Sequence, residues 1–212
     1  MTTVKSPTPP PRTRDGRSTR EAVIAAATRL IHVHGYNAMS LDDVLRESGV
    51  GKGNFYYHFK SKEELGHAIL DEIVAGFLER TLEPCFAERD APPLGQIRCF
   101  LDRVLEAQRE RNCVGGCVMG NLASELSDVH EGFRTRLATL FTAWQDRLAS
   151  ALEAGRRRGE LAPDSEPASV ARFLVASLEG AILLAKVSKD IRVMEACVAE
   201  LKRYLGLHEV RR

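Results

Sequence analysis

With 212 residues, 44% of them hydrophobic and 28% charged, the chain has ordinary globular composition and can bury the core of one compact unit or two small ones. No apolar run approaches the ~18 residues of a membrane span and no signal-peptide core is present, so no membrane partner and a cytoplasmic location are expected. Five cysteines, an odd number, argue against a disulfide scaffold. The net charge of +1 is unevenly placed: residues 1–62 hold 10 Lys and Arg against 5 Asp and Glu, and the remainder holds 20 against 24. A basic front on a mildly acidic body suits a nucleic-acid-binding head on a regulatory body.

Residues 1–16 contain the Pro-rich run PTPPPRTRDG and few apolar side chains, which predicts a disordered arm. Its Arg12 and Arg14, and Arg17 just beyond, can touch phosphates. From Ser18 to His34 the spacing of Ala22, Val23, Ala26, Ala27, Leu30 and Ile31 predicts a helix that Gly35 stops. Thr19, near its start, sits where a helix N-terminus can hold a phosphate. Ser40 and Asp43 approximate a capping box for a short helix with Leu41, Val44 and Leu45 on one face, ended by Gly49. A second short helix follows at about 53–59, and Ser61 with Glu64 opens a third element. Two short helices about a Gly-containing turn describe a helix-turn-helix, whose second helix enters the DNA major groove.

The second helix carries suitable groups. Lys52, Gly53 and Asn54 lie at its N-terminal end, where Lys can donate to guanine, Asn can bond adenine and Gly lets backbone approach. Tyr56, Tyr57, His58, Lys60 and Lys62 supply phosphate donors, which position without reading sequence. Arg17, Thr19 and Ser40, each near a helix start, complete the expected DNA-binding set. Phe55 and Phe59, four apart, point back into the core.

The stretch VGKGNFYYHFKSKEEL resembles the DNA-binding signature of TetR-type transcriptional regulators, departing at Gly51, where a hydroxyl cap is usual, and at Asn54, where Thr or Ser is common. The resemblance implies an all-α homodimer of about nine helices. Its three-helix DNA-binding head would cover residues 17–62, and a helical effector-binding and dimerisation body residues 63–212.

Beyond Leu65 helical periodicity continues without strand-like alternation. Helices are expected at about 62–82, 93–111, 116–127, 130–158, 166–188 and 190–205, with Pro84, Pro92–Pro93, Gly115–Gly116 and Pro163–Pro167 at the breaks. The last two carry apolar faces, and the resemblance implies that they pack against a second copy. Phe77, Phe100, Val104, Met119, Leu122, Phe141, Trp144 and Leu183 are candidate walls of an effector pocket between helices.

In NCVGGCVMGNLASELSD, residues 112–128, the paired glycines place Cys117 in the first turn of a helix. There the dipole would lower the thiol's pKa and favour thiolate. Asn121 and Glu125 follow on the same face and can orient a polar group. Cys113 is four residues away, but a thiolate metal site needs three or four ligands and no nearby His completes one. Cys85, Cys99 and Cys197 sit in apolar settings where packing is the default. The segments GCVMGNLASE and GAILLAK resemble a TetR-type subgroup that senses electrophiles, reactive chlorine species and acrylate-like compounds. That resemblance implies Cys117 as sensing thiol and Lys186 as its neighbour; core packing of Cys117 and an acidic partner for Lys186 are the alternatives.

No motif for a hydrolase, a transferase or nucleotide binding is present, so neither catalysis nor a cofactor is expected. The reading is a repressor on a palindromic operator, released when a small molecule or electrophile acts on the body. An activator, a non-specific DNA binder and a cysteine-dependent enzyme are the alternatives.

Overall fold

A computed structural model describes residues 16–88 and 91–210. The expected arm, with Arg12 and Arg14, therefore lies outside the described residues, except that Gly16 opens the first helix. In chain order the helices are α1 (Gly16–His34), α2 (Leu41–Ser48), α3 (Lys52–His58), α4 (Lys62–Phe77), a π-helical turn (Leu78–Leu82), α5 (Glu83–Phe86), α6 (Pro93–Glu110), α7 (Val118–Leu126), α8 (Glu131–Arg157), α9 (Pro167–Ser188) and α10 (Ile191–Leu207). Because α4, the π turn and α5 run on without a break, the described residues make nine helical rods. The β pairing among them is a single bridge, Leu161 to Glu209.

Local chemistry sets the head. Ser40 accepts from the Asp43 amide and Asp43 answers at the Ser40 amide, while Gly49 takes a left-handed φ of 66° and closes α2. Ser61 caps α4 in the same manner through the Glu64 amide. Phe55 and Phe59 are buried, and Arg29 on α1 pairs with Glu47 on α2 at 3.1 Å.

Pro84 does not end the fourth rod as expected. A proline leaves the carbonyl four residues earlier without its helical donor. Here that carbonyl belongs to Arg80, and Arg103 of α6 donates to it at 2.8 Å. The rod therefore passes through the proline instead of stopping at it.

Two clusters of buried side chains hold the molecule. One joins Leu82, Cys85 and Phe86 to α6, α8, α9 and α10, around Phe100, Leu101, Trp144, Leu152, Leu174 and Leu178. The other holds the head, with Val23, Ile31, Val44, Phe55, Leu65 and Ile69, but it also includes Val118, Met119, Leu122 and Leu126 of α7 and Phe133 of α8. Thus α7, distant in sequence from the helix-turn-helix, is built into its core. Phe77, Cys117 and Phe141 touch both clusters.

The membrane expectation needs one correction. Helix α9 is long and apolar enough to cross a bilayer by length and mean hydropathy, 1.7. Its apolar surface has two sides: Val170, Leu174, Leu178 and Ile182 are buried inside, whereas Phe173, Leu183, Leu184 and Val187 are exposed.

Close approach at one point sets the α4–α8 distance. A Cβ on Gly66 would lie 2.6 Å from both the Phe133 and Tyr36 rings, which are packed together. Gly66→Ala gains about 1 kcal/mol of helix propensity but forces two buried rings apart, at about 1–3 kcal/mol. The variant is expected to unfold at lower temperature than the parent, as circular dichroism melting will show.

Candidate functional site

Helix α3 presents Lys52, Gly53, Asn54, Tyr56 and Tyr57 to solvent, with His58 half-buried and Tyr57 78% exposed. Its N-cap, Gly51, offers no side-chain acceptor, so the first amides of α3 have no side-chain cap. Arg17 is exposed and pairs with Glu21 at 3.2 Å. Ser40 is exposed as well, but its hydroxyl serves the α2 cap.

Two members of the expected DNA-binding set are placed elsewhere. Thr19 is buried at 6% exposure, because α1 begins at Gly16 and turns it into the head core. Lys62 is half-buried: its Nζ donates to the Asn37 carbonyl at 3.2 Å and lies 4.6 Å from the Tyr36 ring centroid. Burial holds the Lys62 pKa below the usual lysine range, against the opposing pull of Glu125. Lys62 pins the turn after α1 rather than reaching outward.

Glu125 also departs from its expected role of orienting an effector. Its carboxylate accepts from the amides of Tyr36 at 2.9 Å and Asn37 at 2.6 Å, in the turn that joins α1 to α2. Gly35, with φ of 84°, brings that backbone to within 3.2 Å of the carboxylate, measured from where a Cβ would stand. The C-terminal end of α7 is thereby latched to the helix-turn-helix.

The N-terminal end of α7 opens on a cavity of about 910 Å³. Phe77, Val104, Met119 and Trp144 line it as expected, together with Ile182. Thr28, His32, Arg80, Gln108, Arg111 and Glu179 contribute polar groups that sequence reading missed. Phe100 is fully buried behind this wall, and Leu183 faces outward at 56% exposure. Four of the lining residues carry buried atoms with no hydrogen-bond partner: Thr28 Oγ1, His32 Nε2, Trp144 Nε1 and Glu179 Oε1. An unsatisfied buried polar atom costs about 1–3 kcal/mol, and four of them stand on this one wall.

Cys117 lies on this wall as the N-cap of α7, its Sγ accepting from the Gly120 amide at 3.4 Å. The expectation of a lowered thiol pKa is overturned. Burial pushes the thiol up and the Glu179 carboxylate pushes it further, outweighing the two amides that favour thiolate. Burial raises the Glu179 pKa too, and lowers that of His32, where Arg111 adds to the effect. Lys186 is not the partner of Cys117. It donates to Asn121 Oδ1 at 3.0 Å, and Asn121 Nδ2 donates to the Gly115 carbonyl at 2.7 Å. Together they fix the loop 112–116, in which Asn112, Cys113, Gly115 and Gly116 all have positive φ.

Comparison with known proteins gives a consistent answer. Residues 23–69 match the family described as bacterial regulatory proteins, tetR family, and residues 93–201 match the tetracyclin repressor-like C-terminal domain. An uncharacterized HTH-type transcriptional regulator from the lacX 3' region of Lactococcus lactis is 36% identical over 85% of this chain and 89% of its own length. The HTH-type transcriptional repressor NemR of Escherichia coli K12 is 29% identical over 89% and 94%. Among solved structures, a TetR transcriptional regulator from Chloroflexus aurantiacus superposes with a TM-score of 0.84 at 30% identity, covering 93% of this chain and 98% of that one.

Because the Glu179 pKa is raised by folding, the unfolded chain gives up this proton first. The stability it contributes is complete below the ordinary glutamate value of 4.5 and falls as pH rises from there toward the folded value. Glu179→Gln is expected to flatten that part of the stability–pH curve, with the gap between variant and parent widening upward from pH 4.5. Urea unfolding across pH will measure the gap.

Proposed function

Because this chain belongs to the tetR family of bacterial regulatory proteins, it is a helix-turn-helix transcriptional regulator, and we propose that it is a repressor released from a palindromic operator by an effector acting in the α7 cavity. The observation that carries this reading is the course of α7. One end is capped by Cys117 on the cavity wall, its middle packs into the head core, and Glu125 near its other end grips the turn before α2. An effector that displaces the first turn of α7 moves the head with it.

Residues 17–62 act as the DNA-binding unit and residues 63–212 as the effector and dimerisation unit. Lys52, Gly53 and Asn54 read bases; Arg17, Tyr56, Tyr57 and His58 hold phosphates. Two heads on half-sites about 34 Å apart, or a multiple of that, need a two-fold dimer. The exposed stripe Phe173, Ala176, Gly180, Leu183, Leu184 and Val187 on α9 is the surface for the second copy. Apart from its chain neighbours and the backbone of its own helix, no heavy atom of the described residues stands within 4 Å of a Cβ built on Gly180, which leaves room for the partner helix. Leu184→Glu is expected to convert the dimer to monomer in sedimentation velocity and to abolish high-affinity operator binding.

The effector is a small molecule, and the resemblance of GCVMGNLASE to electrophile-responsive repressors supports a thiol-reactive one. Glu179 shares the cavity wall with Cys117 and supplies what the raised thiol pKa withholds, since its carboxylate can take the thiol proton as a Michael acceptor arrives. The test is binding to the protein's own upstream DNA, before and after an acrylate-type electrophile, beside Cys117→Ser. Release of wild type alone supports covalent sensing. Release of both moves the effector to non-covalent binding. Equal affinity for random and upstream DNA at ~0.15 M salt rejects the repressor reading.

Glu125→Ala removes two charge-assisted backbone bonds, worth about 1.5–3 kcal/mol each. Effector coupling in such proteins is typically ~1–3 kcal/mol, so losing the latch is large enough to erase it. The ratio of operator affinity without and with effector is expected to fall toward one. An unchanged ratio would show that the signal bypasses Glu125.

A further inference from the structure

We propose that Cys85 and Cys99 form a reversible redox site, oxidised by low-molecular-weight disulfides and reduced by low-molecular-weight thiols, which fastens the far end of the α4–α5 rod to the cavity wall. This goes beyond the effector reading, because it involves neither Cys117 nor an effector held in the cavity: small thiols only pass through it to reach Cys99.

The two residues are joined by a disulfide across a Cα–Cα distance of 5.7 Å, 14 residues apart in sequence. Cys85 stands on α5 and is 6% exposed; Cys99 stands on α6 and lines the cavity. The rod that ends at α5 begins in the head, where Leu65, Ile69 and Leu70 belong to the DNA-binding core, and finishes in the body core with Leu82, Cys85 and Phe86. Among the described residues the other polar ties at that end run to backbone carbonyls. Arg103 donates to that of Arg80, Gln96 to that of Glu88 at 2.7 Å, and Arg147 to that of Phe86 at 3.2 Å while its guanidinium lies over the Phe86 ring. The disulfide is the covalent link between a helix that enters the head and the helix that walls the cavity.

A protein that works on bacterial DNA meets a thiol pool that does not preserve ordinary disulfides. A cross-link there is in exchange. Reduction begins when a small thiolate enters the cavity and attacks Cys99 Sγ. The S–S bond breaks, Cys85 leaves as thiolate and takes a proton, and Cys99 carries the mixed disulfide. A second thiolate attacks the outer sulfur of that mixed disulfide. Cys99 is released as a thiolate and the small disulfide departs with the two electrons accounted for. Oxidation is the reverse, with Cys85 as the resolving thiol. Cys99 is the entry point because it faces the cavity and Cys85 does not.

The test equilibrates the full-length Cys117→Ser protein in glutathione buffers from fully reduced to fully oxidised, then traps free thiols by alkylation and maps the disulfides by mass spectrometry. The expected result is a Cys85–Cys99 bond that is lost at the reduced end, restored at the oxidised end, and has a midpoint between. A pair still bonded in fully reduced glutathione, or still free in fully oxidised glutathione, overturns the proposal. Operator affinity is then compared at the two ends. The forms are expected to differ by roughly fivefold or more, and Cys85→Ser/Cys99→Ser is expected not to respond. Equal affinities of the two forms would overturn the link to the head. Absence of operator binding in every state would count against the repressor reading instead, and the alkylation titration would still decide the redox site.

Discussion

The carboxylate of Glu125 on two backbone amides is the constraint from which the rest of the architecture follows. An ionised acceptor on two N–H donors is among the stronger links a protein can make without a covalent bond. It fastens α7 to a turn 88 residues earlier in the chain, and that turn sets how α1 meets the helix-turn-helix. Lys62 closes the same junction from the α4 side, on the Asn37 carbonyl and the Tyr36 ring. Tyr36 itself is kept a neutral phenol, its pKa pushed up to about 12 by burial and by the carboxylates of Glu63 and Glu125. The head is thus less an appendage than one end of a shared core.

At the other end of α7 the energetic logic reverses. The junction satisfies its polar groups, while the cavity leaves several unsatisfied. His32, Glu179 and Cys117 are all pushed by burial toward their neutral forms. Neutral donors and acceptors in a partly apolar wall give direction to a ligand without demanding that it carry charge. Folding stability is lower for keeping them there. Such a cost is expected where a site must be ready for something other than the chain itself.

Much of the head was legible because its signals are local. Ser40 with Asp43, Gly49, and Ser61 with Glu64 act within one turn of where they stand, and the spacing of Phe55 and Phe59 already faces the core. The features that are not legible depend on partners far away in sequence. Glu125 shares a face with Cys117, which suggests a common pocket, but its partners lie at the other end of α7, in the turn before α2. At Cys117 the dipole of its own helix is the local signal, and both burial and Glu179 of α9 act against that dipole. Thr19 reads as a helix start for a helix that begins at Ser18, but α1 begins at Gly16. An odd cysteine count hid the pairing of Cys85 with Cys99, since nothing local announces which two will meet. Pro84 read as a stop because Arg103, its remedy, comes from the next helix.

The π-helical turn at Leu78–Leu82 bears on how this chain tolerates changes in length. A π turn accommodates one residue more than an α turn over the same rise. Deleting a single residue there would let the rod run as uninterrupted α-helix with Cys85 and Phe86 still turned toward the body core. Deleting one from regular α-helix in α4 would instead rotate everything beyond it by about 100°, the angle that 3.6 residues per turn imply. The wide turn thus absorbs a change of one residue between two cores, and it is the place along the rod where such a change does least damage.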